Sequence, residues 1–217
     1  MEWCYKMHVY DLKKGEFLVR AARMSIELYL KNPHFDRNMV KNTLKNFNEH
    51  NGLFVTLEYY MTQELRGCIG FIGKNQEIKD SIVDAALSAA FEDPRFIPVS
   101  LHELDNIIIE VSILSEMVKI KGDKDKIIRA VKVGRDGLMI KYGIYSGLLL
   151  PNVATDEGWG AEEFLENVCI KAGLKKEYWS YPNVDLYIFQ TQRFKETDPN
   201  GKVIEIKSEL ENNKKVK

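Results

Sequence analysis

The segment with the greatest chemical potential is residues 65–73, which reads Leu-Arg-Gly-Cys-Ile-Gly-Phe-Ile-Gly. Arg66 and Cys68 are two residues apart, so their side chains lie on the same face of a regular strand. A guanidinium beside a thiol lowers the pKa of the thiol and favours the reactive thiolate. We therefore predict that Cys68 is a catalytic nucleophile or thiol acceptor and that Arg66 lowers its pKa or holds an anion. The alternative is that Cys68 is a small buried apolar residue, as cysteines often are.

Three glycines recur at every third position of the same segment, at Gly67, Gly70 and Gly73. Glycine weakens a strand, and it usually marks a bulge or the close approach of another backbone or a ligand. We predict that Gly67 and Gly70 contact a bound ligand. Their spacing differs from the Gly-x-Gly-x-x-Gly pattern of dinucleotide sites, so it gives little support for a phosphate cradle.

Other charged residues could complete a site around this segment. Glu110 interrupts an apolar strand, where a carboxylate must be hydrated, paired or shifted in pKa. We predict that it acts as a general base if its face lines a cleft; the alternative is a structural ion pair. Asp93 and Arg95 lie in a proline-rich loop and are predicted to bind ligand at the opposite rim. Arg95 would recognise a carboxylate or phosphate, or it would pin the loop to a carboxylate of the protein itself.

Two further residues, Pro151 and Trp159, are predicted binding contacts in the second half of the chain. Trp159 stands between two glycines, and its large ring could form either the wall of a pocket or a plug over the core.

Composition excludes several classes of function. The chain has 31 Lys and Arg against 32 Asp and Glu, so the general attraction of basic proteins to nucleic acid is missing. A Lys-rich stretch at 119–132 leaves local RNA binding as an alternative. The four histidines show no metal-ligand spacing, no Gly-x-Ser-x-Gly elbow occurs, and no pattern identifies a cofactor.

The cysteines and the hydropathy pattern indicate the cellular compartment in which the protein occurs. Three widely separated cysteines predict a reducing, cytoplasmic environment. No apolar run approaches the roughly 20 residues of a membrane-spanning helix, so no membrane association is predicted.

The candidate residues must be positioned by elements that hydrophobic periodicity predicts. In the first half of the chain the pattern predicts helices at 15–30 and 76–91, a hairpin of strands at 53–60 and 66–72, and a strand at 106–114. In the second half it predicts a hairpin of strands at 127–133 and 138–142, strands at 144–150 and 184–192, a helix at 164–172, and a charged tail from 197 to 217 that packs weakly. Helices separated by hairpin-linked strands favour an α+β fold with a mainly antiparallel or mixed sheet flanked by helices.

The six residues from Leu65 to Gly70 resemble the signature of the AMMECR domain family. Other segments also resemble this family and occur in the same order as in its members. They are 52–57, which precedes these six residues, and 93–98, 136–138, 149–154 and Trp159, which come after them. The resemblance covers residues 14–194, so the whole chain, 1–217, is predicted to be a single domain of this type. An ordered series of motifs is more specific than any short pattern alone.

This resemblance implies two unequal lobes with the signature near a cleft between them. It implies no particular reaction, and two readings of function stay open. The first is a cleft enzyme, or a component of a modification system, that uses Cys68. The second is a non-catalytic adaptor that binds a protein or peptide partner. Because family members are often encoded beside or fused to Memo-type and radical-SAM proteins, the resemblance implies a partner of one of these classes.

Overall fold

The computed structural model describes residues 10–73 and 76–207, which form helices and antiparallel strand pairs in two compact units. The elements are, in chain order, α1 (Leu12–Lys31), α2 (Asn38–Lys41), β1 (Leu53–Tyr59), β2 (Leu65–Phe71), α3 (Ile78–Phe91), α4 (Leu101–Leu104), β3 (Ile107–Leu114), β4 (Val118–Ile120), α5 (Lys124–Ala130), β5 (Gly137–Tyr142), β6 (Tyr145–Leu149), α6 (Pro151–Asp156), α7 (Ala161–Lys171), β7 (Asp185–Phe189), β8 (Thr191–Glu196) and β9 (Val203–Ile206).

The first unit contains residues 10–114 and 192–206 and is built on a five-stranded sheet of order β2-β1-β3-β8-β9. One face of this sheet packs against α1 and α3. Alternate residues of β1, namely Leu53, Val55 and Leu57, are fully buried in that core. Asp11 caps the start of α1 by accepting a hydrogen bond from the amide of Lys14 at 2.7 Å. The period-2 pattern of β1 thus separates a helix-covered face from a second, more polar face.

The second unit contains residues 115–191 and is built on a four-stranded sheet of order β4-β7-β5-β6. Its core brings together α7 and the central strands through Phe164, Val168, Ile140 and Ile188, all fully buried. Gly173 ends α7 with φ of +75°, the left-handed conformation that glycine adopts without steric cost.

The predicted α+β class is confirmed, with antiparallel pairing of β1 with both β2 and β3 and of β5 with both β6 and β7. The predicted helices at 15–30, 76–91 and 164–172 correspond to α1, α3 and α7. The hairpin of β1 and β2 is also confirmed, as is the strand β3. In the described residues, no helix has the length and apolar character needed to cross a membrane.

The predicted strand at 127–133 is wrong, because residues 127–130 belong to the helix α5 and no strand follows at 131–133. Asp123 caps that helix, accepting from the amide of Lys126 at 2.8 Å, and buried Ile127 and Val131 fall four residues apart. A short apolar run fits helix and strand alike, so only the cap and the tertiary contacts distinguish them. The second hairpin is consequently β5–β6, with the turn at Gly143.

The predicted single strand at 184–192 is also wrong. It divides into β7, which belongs to the four-stranded sheet, and β8, which belongs to the five-stranded sheet. The predicted weakly packed tail begins too early, because Val203–Ile206 forms β9 and pairs with β8. Residues 208–217 of that tail lie outside the described residues.

Candidate functional site

Cys68 lies in β2, opposite Thr56 of β1, and Thr56 is in turn opposite Glu110 of β3. Directly opposed residues of neighbouring strands project from the same face of a sheet. Cys68, Thr56 and Glu110 therefore form a row across three strands, on the face opposite the one that packs on α3. This polar row is the centre of the candidate site.

The thiol of Cys68 is half-buried, and its sulfur accepts a hydrogen bond from the Thr56 hydroxyl at 3.2 Å. Burial raises the pKa of the thiol, and the negative charges of Glu110 and Asp93 raise it further, whereas the Thr56 hydrogen bond and the positive charge of Arg95 lower it. The net shift is upward, so the thiol is protonated at neutral pH. The structure thus corrects the expectation of a depressed thiol pKa.

Asp93 and Arg95 bind the backbone of Cys68 rather than its sulfur. The Cys68 amide donates to Oδ2 of Asp93 at 2.9 Å, and Arg95 donates to the Cys68 carbonyl at 3.3 Å. Arg95 also makes two hydrogen bonds to the Asp93 carboxylate, of 2.9 and 2.6 Å. This pairing holds the pKa of Asp93 down at about 2. The loop is thereby pinned to β2, as the alternative reading of Arg95 expects.

These contacts lie on the open edge of the sheet, because β2 stands at one end of the strand order. The outward amide and carbonyl groups of an edge strand have no partner within the sheet, so they normally form hydrogen bonds with water or with another strand. The Asp93–Arg95 pair satisfies both groups at Cys68. We call this arrangement, formed by Asp93, Arg95 and the Cys68 backbone, the edge clamp.

Arg66 does not face the thiol, and this is a second correction. Leu57 is opposite Gly67 while Glu58 is opposite Leu65, so Arg66 is the extra residue of a bulge and leaves the regular alternation of β2. Its guanidinium is buried, donates to both carboxylate oxygens of Glu103, and donates to the carbonyl of Ile97 at 2.7 Å. The predicted influence of Arg66 on the thiol is therefore absent.

Gly67 and Gly70 make room for the protein's own atoms. A Cβ on Gly67 would lie 2.2 Å from the carbonyl oxygen of Ala89 in α3, and a Cβ on Gly70 would lie 2.4 Å from the ring of Phe54. The close approach of the Ala89 carbonyl to Gly67 and of the Phe54 ring to Gly70 explains why both residues are glycine. The protein's own helix and ring therefore account for glycine at both positions, and the predicted ligand contacts of Gly67 and Gly70 stay predictions.

Glu110 forms a buried ion pair, the alternative that sequence left open. Only 4% of the residue is exposed, and Arg193 donates to its two oxygens at 2.7 and 2.8 Å. Ser112 donates a further hydrogen bond to the same carboxylate at 3.1 Å. A carboxylate held in this way is not positioned as a general base.

Pro151 and Trp159 belong to the second unit. Pro151 is the buried first residue of α6. Trp159 packs against the second hydrophobic core and donates its amide to the carbonyl of Ala154 at 2.8 Å. The predicted roles of Pro151 and Trp159 as binding contacts stay predictions.

Sequence reasoning missed Thr56, Glu103 and Arg193. Glu103 carries a local signal, because Ser100-x-x-Glu103 is the pattern of a capping box, which the structure contains at the start of α4. Thr56 and Arg193 have no such signal, since strand pairing alone brings them to Cys68 and Glu110. Within 10–73 and 76–207, no group of three or more His, Cys, Asp or Glu residues is arranged to hold a metal ion.

The chain is similar to archaeal proteins over nearly its whole length. It is 44% identical over 203 residues to Protein MJ0810 of Methanocaldococcus jannaschii, covering 93% of this chain and 99% of that protein. It is 42% identical to Protein MK0488 of Methanopyrus kandleri, covering 89% of this chain and 94% of that protein. The crystal structure of the uncharacterized protein PH0010 from Pyrococcus horikoshii superposes with a TM-score of 0.83 at 43% identity, covering 88% of this chain and 96% of that one.

The family model for AMMECR1 matches residues 19–194, which include the edge clamp, both arginine–glutamate pairs and most of both sheets. This match spans more than half of the chain and agrees with the full-length relatives. The chain therefore belongs to the AMMECR1 family.

Proposed function

We propose that this protein is a non-catalytic adaptor that binds a protein or peptide partner through the surface around the loop after α3. We call this the loop surface and define it as Arg95, Phe96, Ile97 and Leu101. The observation that carries the proposal is the position of Ile97, whose side chain is 79% exposed while its carbonyl is held by the buried Arg66.

An exposed isoleucine on a fixed backbone is suited to recognition. Two prolines, Pro94 and Pro98, flank the loop, the edge clamp holds its start, and Arg66 holds its middle. Rigid loops lose little conformational entropy when they bind, so more of the contact energy appears as affinity. An exposed apolar side chain that the fold presents in one place is therefore a docking feature.

The neighbours of Ile97 have the chemistry of an interface. The guanidinium carbon of Arg95 lies 5.4 Å from the ring centroid of Phe96, and about half of the Arg95 side chain is exposed. Leu101 is 50% exposed at the start of α4. Arginine and aromatic residues are enriched at the centres of protein interfaces.

Pairing of the candidate charges supports an adaptor over an enzyme. Arg66 is bound by Glu103, Asp93 by Arg95, and Glu110 by Arg193. The thiol is protonated at neutral pH. No charged residue among those predicted to be catalytic is therefore available as an acid or base without first breaking an internal ion pair.

The test is affinity capture from cell lysate with matched surface variants. We expect the wild-type chain and Cys68→Ser to retain the same stoichiometric partner, and Ile97→Asp to lose it by at least about tenfold. Ile144→Asp is the matched control, because Ile144 is 93% exposed on the turn between β5 and β6. A Memo-type or radical-SAM protein is the first partner class to test in purified form.

The adaptor proposal fails if Ile97→Asp and Ile144→Asp capture the partner equally, or if Cys68→Ser abolishes capture. Circular dichroism and thermal unfolding of each variant establish that the fold is intact. Both substitutions are at exposed side chains, so we expect changes in stability within about 0.5 kcal/mol.

A second candidate function is a cysteine-dependent enzyme. The observation in its favour is that Cys68 is half-buried and its sulfur accepts a hydrogen bond from Thr56, while the positive charge of Arg95 favours the thiolate. Such a thiol would need a further change, such as ligand binding, to become ionised near neutral pH.

Alkylation of Cys68 by iodoacetamide, followed by mass spectrometry of its peptide, distinguishes the two functions. We expect slow alkylation at neutral pH and a midpoint above the ordinary thiol value of about 8.5. Arg95→Ala is expected to raise the midpoint, whereas Arg66→Lys leaves it unchanged because Arg66 does not act on the thiol. Rapid alkylation at neutral pH would instead support the enzyme.

A further inference from the structure

The second unit contains a pocket of about 270 Å³ that is lined only by residues of that unit. Its inner lining is apolar and includes Ile120, Ile127, Trp179 and Leu186, all of which are buried. Tyr181 and Pro182 line it as well, and the Tyr181 side chain is 42% exposed. None of these residues belongs to the site or the loop surface described above.

The size of the pocket selects for small ligands. A dry cavity of about 150 Å³ is sufficient to hold one benzene molecule. A pocket of about 270 Å³ therefore has room for one planar ring and a short substituent. Most pockets for drug-sized ligands are larger, at about 300–1,000 Å³.

The aromatic lining favours a ring as the apolar part of the ligand. Trp179 and Tyr181 both line the pocket, and the ring of Tyr181 is itself stacked on Tyr178 with centroids 4.7 Å apart. Aromatic rings pack on one another more favourably than their buried area alone predicts. The stacked tyrosine pair also fixes the position of the Tyr181 ring before a ligand arrives, which lowers the cost of binding.

The charge at the mouth of the pocket is positive. Lys121 is one of its lining residues, and the ammonium nitrogen of Lys124 lies 5.8 Å from the centroid of the Trp179 ring. Both lysines are exposed, and the positive charge of Lys121 contributes to lowering the pKa of the Asp185 carboxylate. The carboxylate of Asp185, in the neighbouring strand, is already paired with Lys119. Two ammonium groups beside an aromatic pocket attract a negatively charged group.

We propose that this pocket binds a small aromatic anion, namely one planar ring that carries a carboxylate on a short chain. The ring enters among Trp179, Tyr181 and Ile127. The carboxylate lies at the mouth, where Lys121 and Lys124 contact it. This inference stands apart from the adaptor function and needs no partner protein.

Phenylacetate is the probe, and the full chain is titrated with it in a ¹H–¹⁵N NMR experiment. The readout is the indole N–H resonance of Trp179, assigned with a Trp179→Phe variant. We expect this resonance to shift with a dissociation constant in the millimolar range, on the order of what a ten-atom ligand achieves. Benzylamine, which has the opposite charge on a ring of the same size, is expected to leave the resonance in place.

Charge variants separate the proposed contacts from a general effect of net charge. The double variant Lys121→Ala, Lys124→Ala is expected to weaken binding of phenylacetate about fivefold. The matched control is Lys141→Ala, Lys171→Ala, which removes the same charge from exposed positions of the same unit and is expected to change affinity less than twofold. Tyr181→Ala is expected to weaken binding about threefold to tenfold through the lost ring contact.

Three outcomes would each overturn the proposal. The first is that the Trp179 resonance does not shift at phenylacetate concentrations well above the millimolar range. The second is that benzylamine binds as tightly as phenylacetate, and the third is that the two double-lysine variants bind phenylacetate with equal affinity. Because all four lysines are exposed, both double variants are expected to fold like the wild type, and thermal unfolding verifies this.

Discussion

At the residue scale, the edge clamp explains why Cys68 and the loop after α3 occur together. Asp93 accepts from the Cys68 amide and Arg95 donates to its carbonyl, so two side chains replace the hydrogen bonds of an adjacent strand. The backbone of Cys68 is thus held by more hydrogen bonds than its thiol. The buried Asp93 carboxylate accepts four hydrogen bonds, one from the Cys68 amide and three from Arg95, and these favour its anionic form.

This arrangement predicts a loss of stability in acid. The pKa of Asp93 is about 2 in the folded protein, below its ordinary value of 3.8. The unfolded chain therefore binds a proton that the folded chain does not, and stability falls as pH decreases from about 4 to about 2. The contribution that is lost is about 2 kcal/mol. Urea unfolding of the wild type and Asp93→Asn across this range measures it.

For Asp93→Asn we expect a loss of about 1–3 kcal/mol at neutral pH and a weaker acid dependence than in the wild type. The matched control is Asp84→Asn. Asp84 forms an ion pair with Arg37, and both side chains of this pair are substantially exposed. Surface pairs of this kind contribute at most about 1 kcal/mol. Equal losses in the two variants would contradict the role of the clamp.

At the scale of elements, the packing of α3 on β2 depends on the absence of a side chain at Gly67. The carbonyl of Ala89 occupies the space where a Cβ would be, at 2.2 Å. Small residues of α3, such as Ala85, Ala86 and Ala89, allow the helix to lie this close to the sheet, and all three are fully buried. Backbone atoms of a packed helix cannot yield without moving the helix itself.

We therefore expect Gly67→Ala to destabilise the protein by about 2–4 kcal/mol, measured by urea unfolding. The control is Gly160→Ala, where the nearest atom to the new Cβ is a side-chain oxygen at 3.8 Å and the backbone is extended. Its cost is expected to stay near or below about 1 kcal/mol, as for a changed N-cap residue. A Gly67→Ala variant as stable as this control would show that the contact is not rigid.

At the scale of the whole molecule, the first unit is built from two stretches of chain, residues 10–114 and 192–206, which are separated in the sequence by the second unit. The strands β8 and β9 follow the second unit in the sequence and join the sheet that also contains β1, β2 and β3. Glu196 of β8 is the polar anchor of this return. It accepts from Arg23 of α1 at 2.6 and 2.7 Å and from the amide of Ile109 of β3 at 3.0 Å.

Glu196→Gln is expected to destabilise the protein by about 3–5 kcal/mol, because Arg23 would remain charged and buried with no carboxylate to compensate it. The control is Glu16→Gln, which removes a half-exposed partner of Arg20 one helical turn away. That change is expected to cost at most about 0.5 kcal/mol. Thermal unfolding of the two variants makes the comparison, and a small effect at Glu196 would exclude it as the anchor.

The sequence by itself determined the elements whose signals are local. Amphipathic periodicity predicted α1, α3 and α7, and alternation predicted β3, because burial of one face of an element repeats apolar residues at its own period. Aromatic and β-branched residues predicted β1, and the short polar link after it predicted β2 as its hairpin partner. The segment from Leu65 to Gly70, together with the similar segments that flank it in order, predicted the family, and the family model over residues 19–194 confirms it. The loop at 93–98 followed from its prolines, which cannot continue a helix.

Only the tertiary structure decided which side chains meet. A single bulge turned Arg66 away from Cys68 and toward Glu103, and strand pairing brought Thr56 to the sulfur. Arg193 reached Glu110 across 83 positions of the sequence. Strand order and register depend on the free energy of the entire sheet, whereas helix and strand periods depend on neighbouring residues. The elements were therefore predictable from the sequence, whereas the hydrogen-bond partners of Arg66 and Cys68 depended on the assembled fold.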